Sequence, residues 1–271
     1  MKQLTNRIFG SPYIFWILIF VLAPLGLLVY QSFFDIQGQL TLSNYLDYLT
    51  STNYLIMTVS SFVSAALITI ITLLLAYPTA YLLSQTKHKL FWSMLIILPT
   101  WINLLLKVYA FIGILSQNGP IVSWLNAVGF NEPQLLFTNL AFILVAVYIE
   151  LPFMILPIFN SIDEIPHSLV EASKDLGASN AQTIRKVIFP LSLPGIRSGV
   201  QTVFIPSLSL FMITRLIGGN RVITLGTAVE QHFLVTQNWG MGATIGVILM
   251  ITMVFVMYLT RERNYGGEVN D

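Results

Sequence analysis

Of the 271 residues, 55% are apolar and only 9% are charged, against about 25% charged in an ordinary soluble domain. A normal water-facing surface cannot be built from this composition, which excludes a disordered chain, a nucleic-acid-binding module and a typical cytosolic enzyme. The net charge of +1 points to no partner, and the absence of cysteine removes disulfides, thiolate metal ligands and thiol nucleophiles.

A mean hydropathy of +0.77 fits an integral membrane protein. At about 20 apolar residues per span, there is room for roughly five to eight spans. The first apolar run, Tyr13 to Tyr30, follows Lys2 and Arg7. Its length, Pro24 and Gly26, and the lack of a small-x-small cleavage pattern before Gln31–Phe34 mark a retained span, not a signal peptide. The second runs from Leu55 to Leu83 and carries Ser60, Ser61, Ser64, Thr69 and Thr72. The third runs from about Leu90 to about Leu115, and the fourth from about Leu140 to Phe159. The fifth, about Ile196 to Ile217, is the most polar, with Gln201, Thr202, Ser207 and Ser209. The weakly apolar stretch from Gly218 to Gly242 predicts a short interfacial or re-entrant helix that lines protein. The sixth span is Ala243 to Leu259. The predicted fold class is therefore an all-α, six-span membrane protein.

Basic residues set the expected orientation. With a cytoplasmic N-terminus, the inner segments hold Lys2, Arg7, Lys87, Lys89, Lys174, Arg185, Lys186, Arg197, Arg261 and Arg263. Only Arg221 falls in an outer loop, with Arg215 at the outer end of span five and Lys107 inside span three. Ten of the 13 basic residues are then inside, as the positive-inside rule requires. Both termini are expected in the cytoplasm, and the outer loops, with Asp35, Asp47, Glu132 and Glu230, lean acidic.

Enzyme signatures are missing. There is no phosphate-binding P-loop, no H-E-x-x-H and no G-x-S-x-G. His88, His167 and His232 lie far apart, as solvated loop histidines do, and predict no metal site. A transport or assembly component is left.

The longest inner loop, residues 161–194, carries most of the signal. Ser168 to Glu171 reads as a capping box, and so does Ser179 to Gln182. Gly177 falls where the first helix needs a left-handed terminator. The loop is expected to form two short helices, Leu169 to Leu176 and Asn180 to Ile188, hinged at Gly177 and stopped by Pro190 and Pro194. Leu169, Ala172 and Leu176 share one face of the first. A two-turn helix is too short to be stable alone and suits a knob seated in a partner.

This loop resembles the E-A-A-x3-G-x9-I-x-L-P motif of ABC-importer permeases. The matching residues are Glu171-Ala172-Ser173, Gly177 and Val187-x-Phe189-Pro190; Ser173, Val187 and Phe189 depart from the pattern by small or apolar exchanges. More narrowly, Pro99 to Asn103, Leu151 to Pro157, Glu171 to Ser179 and Asn238 to Ala243 resemble the spermidine/putrescine branch of that family. The resemblance implies a type I permease domain over residues 55–260, with the coupling loop at 161–194. A tail, first span and outer loop precede it (1–54), and a cytoplasmic tail follows (261–271). It implies a bacterial inner-membrane half-transporter that works with a second permease subunit, two ATPase subunits holding ATP-Mg and an external substrate-binding protein. No cofactor is expected in this chain. Glu171, Ala172 and Gly177 are implied as ATPase-coupling residues, against the alternative that Glu171 only caps its own helix. Rival readings are a permease for iron, thiamine or sulfate-type solutes, or a stand-alone channel or membrane enzyme.

Glu150 lies near the middle of span four. An intramembrane carboxylate costs about 2.5–3.5 kcal/mol and is paired, protonated or functional. A polycation needs such acceptors, carbonyl groups and aromatic faces. Glu150, Trp101 and Asn103 are therefore the candidate substrate-pathway residues; Pro152 and Pro157 free further carbonyls on span four. The alternative for Glu150 is an ion pair with Lys107, and for Trp101 it is packing or interfacial anchoring.

Overall fold

The computed structural model describes residues 12–131, 133–219 and 222–260. Lys2, Arg7, Glu132, Arg221, Arg261, Arg263 and the predicted tail 261–271 lie outside the described residues. Those described are helical apart from turns and an isolated bridge between Phe34 and Leu40.

Among the described residues, five helical stretches are long and apolar enough to cross a membrane: Pro12–Gln31, Thr52–Gln85, Leu104–Ala127, Asn139–Asp163 and Trp239–Thr260. They correspond to predicted spans one, two, three, four and six. Span two, at 34 residues, is about 50 Å long and outruns a hydrocarbon core of about 30 Å.

Two predicted spans are broken. Span three is not one helix from Leu90 to Leu115. It runs Lys89–Ile97, tightens into a 3₁₀ turn at Leu98–Trp101, and restarts at Leu104. Pro99 sits in that turn, Ile102 and Asn103 are extended, and the Asn103 side chain caps the new helix by accepting from the Leu105 N–H at 2.8 Å. Span five starts earlier than expected, at Leu193, stops at Ser207 just after Pro206, and resumes over Phe211–Leu216.

Spans two, four and five form the main core. Span four presents Phe142, Ala146, Glu150, Met154 and Ile158 as one buried stripe. Span five meets it through Gly195 and Gly199. A Cβ on Gly195 would lie 2.5 Å from the Pro157 carbonyl oxygen, and one on Gly199 would lie 2.7 Å from Met154 Sδ. This is the close helix approach that small residues at i and i+4 allow in membranes. Lys89 and Asp163 pair at 2.5 Å across the starts and ends of spans three and four. Both are about one-third exposed, so the pair contributes no more than about 1 kcal/mol.

A second cluster, at the end opposite the 161–194 loop, joins Tyr48, Leu208, Leu225, Met241 and Ile245. The predicted helix between Gly218 and Gly242 is present as Leu225–Glu230, continued by a π turn to Val235. It lies against protein: Leu225 is fully buried, and its N–H donates to Ser61 Oγ at 2.8 Å. Arg215 holds Glu230 at 2.6 Å, so an acidic group expected on the outer side is paired. The turn after span one is clamped by Asn44, which donates to the Phe34 carbonyl at 2.8 Å, and by Thr244, which donates to the Ser32 carbonyl at 3.2 Å. Span one itself buries no residue.

Candidate functional site

The 161–194 loop folds as two short helices at a sharp corner. The first is His167–Asp175 and the second starts at Asn180. Gly177 turns the corner with φ +79°, a left-handed conformation that side chains resist. The Ser179–Gln182 capping box forms in both directions, at 2.9 and 3.3 Å. The Ser168–Glu171 box does not form. Pro166 takes the N-cap position two residues earlier, so Ser168 is already inside the helix and no side chain caps it. Glu171 therefore does not cap its own helix. Pro190 and Pro194 do not stop the second helix either. Pro194 sits in the first turn of span five, where its missing N–H costs nothing, and Pro190 follows the π turn at Ile184–Ile188 within a helical run that does not stop there. The chain continues helically from Asn180 to Leu191, bends at Ser192 and enters span five.

Glu171, Ala172 and Gly177 are all exposed. So are Leu169 and Leu176, the latter at 89%. The structure thus gathers the three predicted residues on one projecting corner with an uncovered apolar rim. The inward side is held by Val170 and Ser173, whose hydroxyl meets Thr183 Oγ1 at 2.8 Å.

Glu150 is only 5% exposed, in the most buried stripe of span four. Its carboxylate makes no hydrogen bond among the described residues. Lys107 is the cation whose charge acts on it, but the two form no ion pair at contact distance. The alternative reading, a Lys107 ion pair, is thus an electrostatic neighbour and not a bonded one. Trp101 is 82% exposed, which rules out packing within this chain. The Asn103 side-chain oxygen accepts its cap bond from the Leu105 N–H, which uses one of its two lone pairs. Asn103 and Lys107 share a face of the new helix, one turn apart. Trp101 and Asn103 make no hydrogen bond or ring contact with Glu150 among the described residues, so the structure does not gather the three into one pocket. The sequence reading missed the Gly195 and Gly199 contact, although G-x-x-x-G at 195–199 signals it.

Residues 43–262 match the family of binding-protein-dependent transport system inner membrane components. The chain belongs to that family: it is a permease subunit, a membrane-embedded transport component. Among its relatives, the spermidine/putrescine transport system permease protein PotB of Haemophilus influenzae is 33% identical over 256 residues, covering 90% of this chain and 89% of that protein. PotB of Escherichia coli K12 is 33% identical over 248 residues, covering 88% and 90%. The inner membrane ABC transporter permease protein YdcU of the same organism is 32% identical over 278 residues, covering 93% and 87%. In structure, the chain superposes on one from a bacterial alginate ABC transporter bound to its periplasmic protein. The TM-score is 0.82, with 15% identity and coverage of 96% and 93%. At that identity the likeness establishes the type I importer fold alone.

Proposed function

We propose that this chain forms one transmembrane half of an ATP-driven importer for polyamines of the spermidine and putrescine kind. The relatives named for these solutes support the reading. The observation that carries it in the chain is Glu150, a carboxylate buried inside span four that accepts no hydrogen bond among the described residues. A buried anion of this kind is retained for a cation. In this reading Glu150 provides counter-charge as an ammonium group passes, and Trp101 and Asn103 flank the route at the break in span three.

The machine then comprises a second, PotC-like permease, two PotA-like ATPases that hold ATP-Mg, and a PotD-like external binding protein, in the bacterial cytoplasmic membrane. This chain carries no cofactor of its own. Ten of 13 basic residues favour a cytoplasmic loop and cytoplasmic termini. Glu171, Ala172 and Gly177 seat the loop in the ATPase, and the exposed Leu169 and Leu176 give that contact its apolar surface.

The test is affinity purification from native membrane, followed by ATP hydrolysis by the recovered assembly. A co-purifying ATPase whose rate rises with binding protein loaded with spermidine or putrescine supports the reading. Stimulation by thiamine-, iron- or sulfate-loaded protein instead, or recovery without an ATPase, contradicts it.

A further inference from the structure

The loop-side end of spans five and six holds a cavity of about 540 Å³ that takes no part in the packing or coupling described above. Arg197, Ser198 and Gln201 line it from span five, and Met257, Tyr258 and Thr260 from span six. Gln201 Nε2 donates to Thr260 Oγ1 at 2.5 Å and fixes the two walls to each other. Arg197 is exposed, and among the described residues it has neither a carboxylate partner nor a hydrogen bond.

Span six sets the depth. Its 22 residues extend about 33 Å, close to a hydrocarbon core of about 30 Å. Trp239 and Tyr258 stand near its two ends, as interfacial aromatics do, and Arg261, Glu262 and Arg263 follow in the sequence. The cavity therefore opens at the headgroup level. A guanidinium there that no carboxylate among the described residues pairs presents a planar fork matched to phosphate. The same charge repels a cationic solute, so the cavity is not a stop on a cation's route.

We propose that this cavity binds the phosphate headgroup of an anionic phospholipid. Arg197 takes the phosphate, the hydroxyls of Ser198 and Tyr258 supply further donors, and an acyl chain lies along Met257. Basic pockets between membrane helices at this level are the expected seats for such lipids.

The test uses the assembled transporter in detergent. Phosphatidylglycerol is titrated in, with phosphatidylcholine as the zwitterionic control, and bound lipid is counted by native mass spectrometry. The wild type is expected to retain phosphatidylglycerol in preference. Arg197→Gln weakens that retention roughly fivefold, whereas Arg197→Lys, which keeps the charge, retains more than Arg197→Gln. Inorganic phosphate alone does not displace the lipid. Equal retention by wild type and Arg197→Gln overturns the proposal. So does displacement by inorganic phosphate, which makes the cavity a simple anion site, or a wild type that binds no phosphatidylglycerol there because the second permease covers the cavity.

Discussion

The hydroxyls of Ser173 and Thr183 meet at 2.8 Å across the Gly177 corner and tie the two loop helices together. Ser173 is the residue by which this loop departs from the second alanine of its motif, and the departure gives the corner a strut. The exposed residues on the outside of that corner are thereby held in one shape.

Gly177→Pro should destroy this shape. Proline fixes φ near −65° where the corner has +79°, and it removes the N–H that donates to the Lys174 carbonyl at 2.8 Å. The local cost is on the order of 3 kcal/mol. Because the corner lies outside the helix packing, membrane insertion is expected to stay normal while uptake and stimulated ATP hydrolysis separate. Glu171→Lys should give the same separation through charge. Surface expression, uptake and ATPase rate measured on the same cells check this; normal coupling in both variants removes the loop's assigned role.

Gly195 and Gly199 make a graded pair. The neighbours of a Cβ at Gly195 are the backbone oxygen of Pro157 and the Ser161 Cβ, both at 2.5 Å, and neither can swing away. At Gly199 the nearest atom is the end of the flexible Met154 side chain, at 2.7 Å. Gly195→Ala is therefore expected to cost about 1–3 kcal/mol, and Gly199→Ala less, because methionine re-packs. Thermal unfolding of the detergent-purified transporter ranks the two, and the reverse order contradicts the packing.

Orientation is open to direct labelling. The chain has no cysteine, so a single one placed at Asn131 or Ser179 has no background. An impermeant thiol reagent added outside should label the residue at 131 and not the one at 179. Reversed labelling places the 161–194 loop outside and removes any ATPase contact.

Much of this architecture is written in composition and spacing, because a bilayer demands about 20 apolar residues per span whatever their packing. The breaks were not visible to that rule. Pro99 and Pro206 lie within apolar runs, and hydropathy does not register a lost N–H. At Ser168 to Glu171 the spacing of a capping box is met, but Pro166 takes the cap first, so a local motif loses to its neighbour. The loop corner was legible because Gly177, Ser179 and Gln182 act on their own backbone. Glu150, Trp101 and Asn103 depend on how distant helices turn, and their separation came only with the fold.

His232 provides a pH dependence. Its ring nitrogens meet the Tyr54 hydroxyl at 2.9 Å and Thr236 Oγ1 at 3.3 Å. Burial lowers its pKa below the ordinary 6.5. The folded state therefore disfavours the charged ring, and the unfolded state binds the proton first as pH falls. The stability contribution is complete above 6.5 and declines below it. Comparing melting at about pH 7.5 and about pH 5.5 should show a loss for the wild type that His232→Gln reduces. An equal loss in both assigns the effect elsewhere.

The central claim is a cation pathway that uses Glu150, and uptake of labelled spermidine into proteoliposomes carrying the whole transporter measures it most directly. Glu150→Gln keeps the shape and removes the charge. Uptake is expected to fall roughly ten- to a hundredfold, the penalty of about 1–3 kcal/mol for an unmatched cation in a partly desolvated path. Lys107→Met added to it should not restore transport, because no contact pair joins the two side chains. Unchanged uptake in Glu150→Gln, or full recovery in the double variant, contradicts the account and leaves Glu150 as a structural partner of Lys107.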